Sequence, residues 1–294
     1  MNAKTPNTLI GIGLMLIAMA VLPGIDVIAK HMGANGTPVL MIVWARLTFG
    51  AVLTLPFALP HAGLNGLLPK RPLILGLRAT LLIAATFFFF WSLHFLPIAD
   101  ALAIFFVQPL VVTALSPLIL GEHVGPRRWA AVAVGFIGTL IIIRPGFGTL
   151  NPGAILALAA GTSLALYMLL TRRIAGEQKA IVTTFHTNLL GGVITSVLVP
   201  FVWVTPTPTD WLLFVALATI ANIGHNFIVR AYDHAEASLL APLAYTEMIT
   251  STLMGLIFFG DFPDRWTFLG VAILISCAIY ISVRERNQPQ RPLP

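Results

Sequence analysis

Four charged side chains interrupt long apolar runs of this chain: Asp26, Arg46, Arg78 and Glu247. If those runs cross a bilayer, each buried charge costs at least ~2.5–3.5 kcal/mol, so it is expected to pair, bind a solute or carry a proton. Glu247 lies about ten residues into its run with no charge one turn away on either side. It is the strongest candidate for a proton carrier or an ammonium ligand; the alternative is a structural carboxyl bonded to a neighbouring helix. Asp26 is a second proton-coupling candidate, although Lys30 follows it at i+4, the spacing of a simple helical ion pair. Arg46 stands some eight residues inside its run, a depth of ~12 Å at 1.5 Å per residue. It suits a solute carboxylate or a structural pair. Arg78 is only about six residues from the start of its run and is expected to snorkel to the interface.

Uncharged polar residues fall in stripes around these four. Asn222, Asn226 and Arg230 follow at i, i+4 and i+8 with His225 beside them, so one face of that helix is unsuited to lipid. His186 and Asn188 neighbour Thr183 and Thr187. Gln108 and Tyr245 occupy the middles of two further runs, and Tyr167 another. Trp44 and Trp91 lie inside runs, and with Phe87–Phe90 and Phe105–Phe106 they offer aromatic walls able to hold a cation by its attraction to the ring face. Any one of these residues could simply join helices together. As a set they suggest a polar, water-accessible cavity whose substrate-binding residues are Trp44, Arg46, Trp91, Gln108, Tyr167, His186, Asn222, His225, Tyr245 and Glu247. Pro23-Gly24, Gln108-Pro109 and Pro242 break helical hydrogen bonding, and half-helix ends are used by carriers to hold charged groups.

The elements that must position these residues are membrane helices. Of 294 residues, 57% are hydrophobic and 10% charged, against about a quarter charged in soluble domains; mean hydropathy is +0.91. A span needs roughly 20 apolar residues. Ten candidates appear, near 9–29, 39–58, 73–94, 99–120, 128–143, 153–170, 181–203, 211–231, 236–259 and 266–283. The fold class is therefore an all-α polytopic membrane protein, and the first run reads as an uncleaved span.

The chain also repeats itself. Ala99-Asp100-Ala101 opens an apolar run that ends at Gly121-Glu122, and Ala235-Glu236-Ala237 opens another that ends at Gly260-Asp261. This divides the chain into five spans in residues 1–147 and five in 148–294. Five is odd, so the second repeat is inverted relative to the first, the arrangement of alternating-access carriers. With a cytoplasmic N-terminus, the inner segments hold Lys4, Lys70, Arg71, Arg127, Arg128, Arg172, Arg173, Lys179, Arg230, Arg284, Arg286 and Arg291, while the outer ones hold only Lys30, Arg144 and Arg265. This bias places both termini in the cytoplasm. Trp129, Trp203, Trp211 and Trp266 fall at span ends, as an interfacial belt requires.

Taken in order, Ala99-Asp100-Ala101, Gly121-Glu122, Trp129, Gly135-Phe136-Ile137-Gly138 and Ile143-Arg144-Pro145-Gly146 form one motif set. Arg230-Ala231-Tyr232, Ala235-Glu236-Ala237-Ser238, Ala241-Pro242, Tyr245 and Gly260-Asp261 form the second. The chain resembles, over nearly its whole length, the EamA family of the drug/metabolite transporter superfamily. Met248 departs from the pattern, standing where Pro109 in the first half leads one to expect a proline. The resemblance implies a secondary transporter that exports small organic metabolites, with the amino-acid exporter branch as the expected substrate class, in a bacterial inner membrane, as a monomer or homodimer.

Other classes fit poorly. No G-x-x-x-x-G-K-[ST] or H-E-x-x-H sequence occurs. Cys277 is the lone cysteine, so no internal disulfide forms. No cofactor, metal site or nucleic-acid partner is expected, only a small-molecule substrate and the lipid bilayer. An intramembrane enzyme or lipid-handling protein is the rival reading; it requires a catalytic pair beside a lateral cleft.

Overall fold

A computed structural model describes residues 8–63, 66–68, 71–121, 124–144, 151–174, 179–235 and 237–286. Glu122 and Glu236 of the repeated motif, Pro145 and Gly146, and Lys4, Lys70 and Arg291 of the charge pattern lie outside the described residues. The helices are α1 (Thr8–Val21), α2 (Pro23–Ala34), α3 (Val39–Ala62), α4 (Pro72–Ser92), α5 (Ile98–Phe105), α6 (Gln108–Leu120) and α7 (Pro126–Ile143). The second half holds α8 (Pro152–Arg173), α9 (Ala180–Leu198), α10 (Pro208–His234), α11 (Ala237–Leu240), α12 (Thr246–Phe259) and α13 (Arg265–Arg286). Pro23, Pro72, Pro126, Pro152 and Pro208 each stand in a first helical turn, where a missing N–H costs nothing. Thr207 and Asp210 add a reciprocal capping box to α10.

Among the described residues, eight helical stretches are long and apolar enough to cross a membrane, the first spanning Thr8–Ala34 and the fourth Ile98–Leu120. Two shorter apolar helices, Leu243–Phe259 and Arg265–Cys277, supply the ninth and tenth spans. Large apolar side chains such as Leu73, Leu118, Phe201 and Ile257 point outward, as lipid requires.

Three spans are broken, each at a proline. Pro23 cannot donate to the Met19 carbonyl one turn back; the Thr250 hydroxyl on α12 donates to it instead, at 2.7 Å. Pro109 likewise frees the Phe105 carbonyl. A Cβ on Gly161 of α8 would lie 2.6 Å from that oxygen, so only glycine lets α8 approach the break. In the ninth span a 3-10 turn, Ala241–Tyr245, begins beside Pro242 and precedes α12. This span breaks without a proline at Met248.

The packing is pairwise across the halves. The third span (α4) lies on the sixth (α8), and the eighth (α10) on the first (α1); these are equivalent contacts under a twofold exchange of the halves. The second and seventh spans (α3, α9) pair with each other, as do the fifth and tenth (α7, α13). Gly138 and Gly270 bring α7 and α13 into backbone contact. The repeated Gly-acid motif has a structural cause: Gly121 and Gly260 both end their helices in the left-handed region at φ 71°.

Candidate substrate site

The three breaks surround a cavity of about 420 Å³, within the range of small-molecule sites. Spans from both halves line it. Its polar wall holds Asp26, Arg46, Thr86, Gln108, Tyr167, Thr187, Asn188, Asn222, His225 and Glu247; its apolar wall holds Phe89, Phe90, Phe105, Phe106 and Tyr232 with Met15 and Met19. Of the residues expected to bind substrate, Arg46, Gln108, Tyr167, Asn222, His225 and Glu247 meet here, and Asp26 joins them.

Arg46 donates to the Thr86 hydroxyl at 2.5 Å and lies in electrostatic reach of both Asp26 and Tyr167. Asp26 and Glu247 are in reach of one another. Among the described residues neither carboxylate closes an ion pair, so the cavity presents a guanidinium and two acids to whatever enters. Gln108 and Asn222 each keep a buried polar atom without a partner among the described residues, Oε1 and Nδ2 respectively. His225 is anchored through Nδ1 to the Ala221 carbonyl at 2.7 Å.

For the charged residues, the alternative of an Asp26–Lys30 pair and the expected snorkelling of Arg78 are both corrected. Asp26 does not pair with Lys30. The Lys30 ammonium instead binds Asp261 Oδ2 at 2.6 Å, touches the Leu96 carbonyl at 3.3 Å and lies over the Phe259 ring. Pro23 lets α2 start anew, and Lys30 reaches sideways to α12. Arg78 does not snorkel: it is 4% exposed. Its Nε donates to Thr171 Oγ1 at 2.7 Å, Nη2 to the Tyr167 hydroxyl at 2.6 Å, and Nη1 to Thr187 Oγ1 and the Thr183 carbonyl. Hydroxyls of α8 and α9 replace the water that snorkelling would have supplied.

Four residues of the expected set lie elsewhere. Trp44 joins Phe49, Trp203, Trp211 and Phe214 in edge-to-face contacts of 5.8–6.4 Å and donates to Ser196 Oγ at 2.8 Å. Trp91 is 41% exposed beside Phe87. His186 is buried with Nε2 3.0 Å from the Gly66 carbonyl. Tyr245 packs behind the cavity wall, its ring 5.0 Å from that of Phe106. Sequence reasoning missed Thr86, although it is the polar position in a run of Ala and Phe, two turns beyond Arg78.

The cavity is offset toward the side on which α1 begins, where its lining residues Met168 and Tyr232 are 45% and 46% exposed. At the opposite helix ends lie the Trp44 cluster, the Lys30–Asp261 ion pair and an ion pair between Arg144 and Asp264.

Compared with known proteins, residues 9–144 and 151–283 each match the EamA-like transporter family. The chain belongs to that family. This EamA protein is similar to the S-adenosylmethionine uptake transporter of Rickettsia felis, 26% identical over 99% of this chain and 98% of the relative. It is also similar to the riboflavin transporter of Rhizobium johnstonii, at 27% over 83% and 81%. The pseudopaline exporter CntI of Pseudomonas aeruginosa is 26% identical over 94% of this chain and 97% of its own. A crystal structure 20% identical in sequence superposes with a TM-score of 0.64 over 97% of this chain and all of that one, which shows the fold. The chain is therefore a multi-pass membrane transporter of small metabolites in the drug/metabolite transporter superfamily, and its fold is ten spans in two five-helix repeats. Its family's members are transporters, not enzymes.

Proposed function

We propose that this transporter exports amino acids or closely related zwitterions across the bacterial inner membrane by alternating access. One observation carries the reading: a single cavity holds Arg46 together with Asp26 and Glu247, which close no ion pair among the described residues, beside a phenylalanine wall. A solute carboxylate meets Arg46, its ammonium meets Asp26 or Glu247, and its side chain rests on Phe89, Phe90, Phe105 and Phe106. Gln108, Tyr167, Asn222 and His225 supply hydrogen bonds. Trp44, Trp91, His186 and Tyr245 act from outside this cavity, with Trp44 part of the closed side.

The relatives carry uptake and export names alike, so direction rests on other grounds. The Lys and Arg bias favours cytoplasmic termini, and in that orientation the cavity faces the cytoplasm, where an exporter loads. The halves 1–147 and 148–294 then rock about the shared site, with Glu247 as the proton carrier and Asp26 as its neighbour. The carrier works as a monomer or homodimer.

Proteoliposomes charged with labelled amino acids under an imposed proton gradient test the reading. Saturable flux that unlabelled substrate competes away is expected for at least one of the twenty. No such flux for any of them overturns it.

A further inference from the structure

Among the described residues, Arg78 is a buried cation without a counter-ion. None of the described acids pairs with it, and Tyr167 is its one electrostatic partner. A guanidinium can only donate hydrogen bonds, so all three hydroxyls around it are acceptors: those of Thr171, Thr187 and Tyr167. What each does with its own hydrogen differs. Thr171 passes its hydrogen to the Tyr167 carbonyl at 2.7 Å, and Thr187 passes its own to the Thr183 carbonyl at 2.8 Å. Tyr167 alone has no acceptor for its hydrogen among the described residues, and it lines the cavity. Its ring also lies under the guanidinium, 4.6 Å from Arg78 Cζ.

We infer that Tyr167 and Arg46 together form the subsite for the substrate's carboxylate, with Arg78 acting through Tyr167 as a positioning residue. Arg78 never touches the solute. By donating to the Tyr167 oxygen it fixes the phenol, turns its hydrogen toward the cavity, and polarises it into a stronger donor. Arg46, within electrostatic reach of Tyr167, provides the charge. The two acids, Asp26 and Glu247, remain for the positive end of the solute. This rests on the zwitterion reading above and adds to it which group recognises the anionic end.

The test uses the full-length protein in nanodiscs, titrated with each of the twenty amino acids and then with the decarboxylated amine of the tightest. Wild type is expected to prefer the acid over its amine. Tyr167→Phe is expected to cut that preference ten- to a hundredfold, the size of one hydrogen bond to a charged group, while amine binding stays put. Arg78→Gln should give the same loss, and no further loss in the Tyr167→Phe background. Equal weakening of acid and amine by Tyr167→Phe assigns it packing alone and overturns the subsite, as does an undiminished Arg78→Gln effect in the double variant. If Arg78→Gln fails to fold, Tyr167→Phe decides, since the other bonds of Arg78 survive it. Should no amino acid bind to wild type, the zwitterion reading itself falls and takes the subsite with it. Equal binding of acid and amine to wild type overturns the subsite while leaving a ligand in the cavity.

Discussion

Lys30 closes an ion pair with Asp261, 231 residues along the chain, at 2.6 Å, and leaves Asp26 on the preceding turn of its own helix without an ion pair among the described residues. The pair therefore does two things at once. It ties the end of the first span to the end of the ninth, and it leaves a carboxylate for the cavity. Both partners are partly shielded, with side chains 17% and 30% exposed, and the Phe259 ring covers the ammonium. Opening the cavity to that side requires the pair to part. Neutralising either member, as Lys30→Gln or Asp261→Asn, should shift the conformational balance toward that opening by about 1 kcal/mol, roughly fivefold. Labelling of a cysteine placed in the cavity by a membrane-impermeant thiol reagent reads this shift. The swapped pair Lys30→Asp with Asp261→Lys should restore the slow labelling; a swap that labels as fast as the single variants removes the ion pair from the closure.

The two capping glycines and Gly161 separate two kinds of cost. A Cβ at Gly121 or Gly260 meets nothing within 4 Å, so alanine there suffers only the left-handed backbone, about 1–2 kcal/mol. A Cβ at Gly161 would press on the Phe105 carbonyl and on Val107. The Phe105 carbonyl is backbone that cannot yield without moving the break in the fourth span, so the loss should reach about 1–3 kcal/mol of overpacking and should also distort the cavity wall. Thermal unfolding in detergent should rank Gly161→Ala with or below the caps. Substrate affinity should fall for Gly161→Ala alone.

Much of this was legible in the sequence, and the limits have physical causes. Apolar runs and their Pro and Gly punctuation reveal ten spans, since a span must satisfy its own backbone in lipid. The repeated Gly-acid motif is visible because the left-handed cap needs glycine in both halves. That Arg46 and Glu247 line one cavity was reachable from depth, since they stand some eight and about ten residues inside their runs. Partner choice was not. Lys30 stands one turn after Asp26, yet the Pro23 break and the neighbouring α12 send it elsewhere. Arg78 looked shallow enough to reach water, but three hydroxyls on two other helices enclose it. Trp44 and His186 have the right depth and the wrong azimuth, and a nearly uniform apolar helix carries little periodicity from which to read direction.

At the closed side, Asp264 joins Arg144 and the Thr267 backbone N–H. Partial burial opposes its charge, but the hydrogen bonds from Thr267 and Arg144 outweigh this and hold the carboxyl below the usual carboxylate range. A carboxyl so depressed stabilises the fold above its unfolded pKa, and that stability is lost as pH falls through the folded value. The contribution is thus complete at neutral pH and disappears only in acid, below about pH 4. The side chains are 37% and 45% exposed, so it stays under about 1 kcal/mol. Asp264→Asn should melt slightly earlier than wild type at pH 7, with the gap closing near pH 3. A gap that widens in acid would contradict the assigned sign.

Glu247 offers the sharpest functional prediction, because its environment separates binding from coupling. It lines one cavity with Asp26 and Arg46 and lies in electrostatic reach of Asp26, which is in turn in reach of Arg46. With Arg46 matched to the solute carboxylate, one acid suffices for the ammonium and the other is free to carry a proton. Glu247→Gln keeps the shape and the hydrogen-bonding capacity but cannot exchange a proton. Its expected signature is exchange of labelled for unlabelled solute within about threefold of wild type, together with loss of uphill transport driven by a pH gradient. Asp26→Asn should show the converse, a tenfold or greater loss of affinity for solutes with a free ammonium and little change for N-acetylated ones. That expectation follows from removing one charge-assisted hydrogen bond. Gradient-driven transport by Glu247→Gln at the wild-type rate would take the proton away from this residue. An unchanged affinity in Asp26→Asn would assign the ammonium to Glu247 instead, and the two acids would then exchange roles.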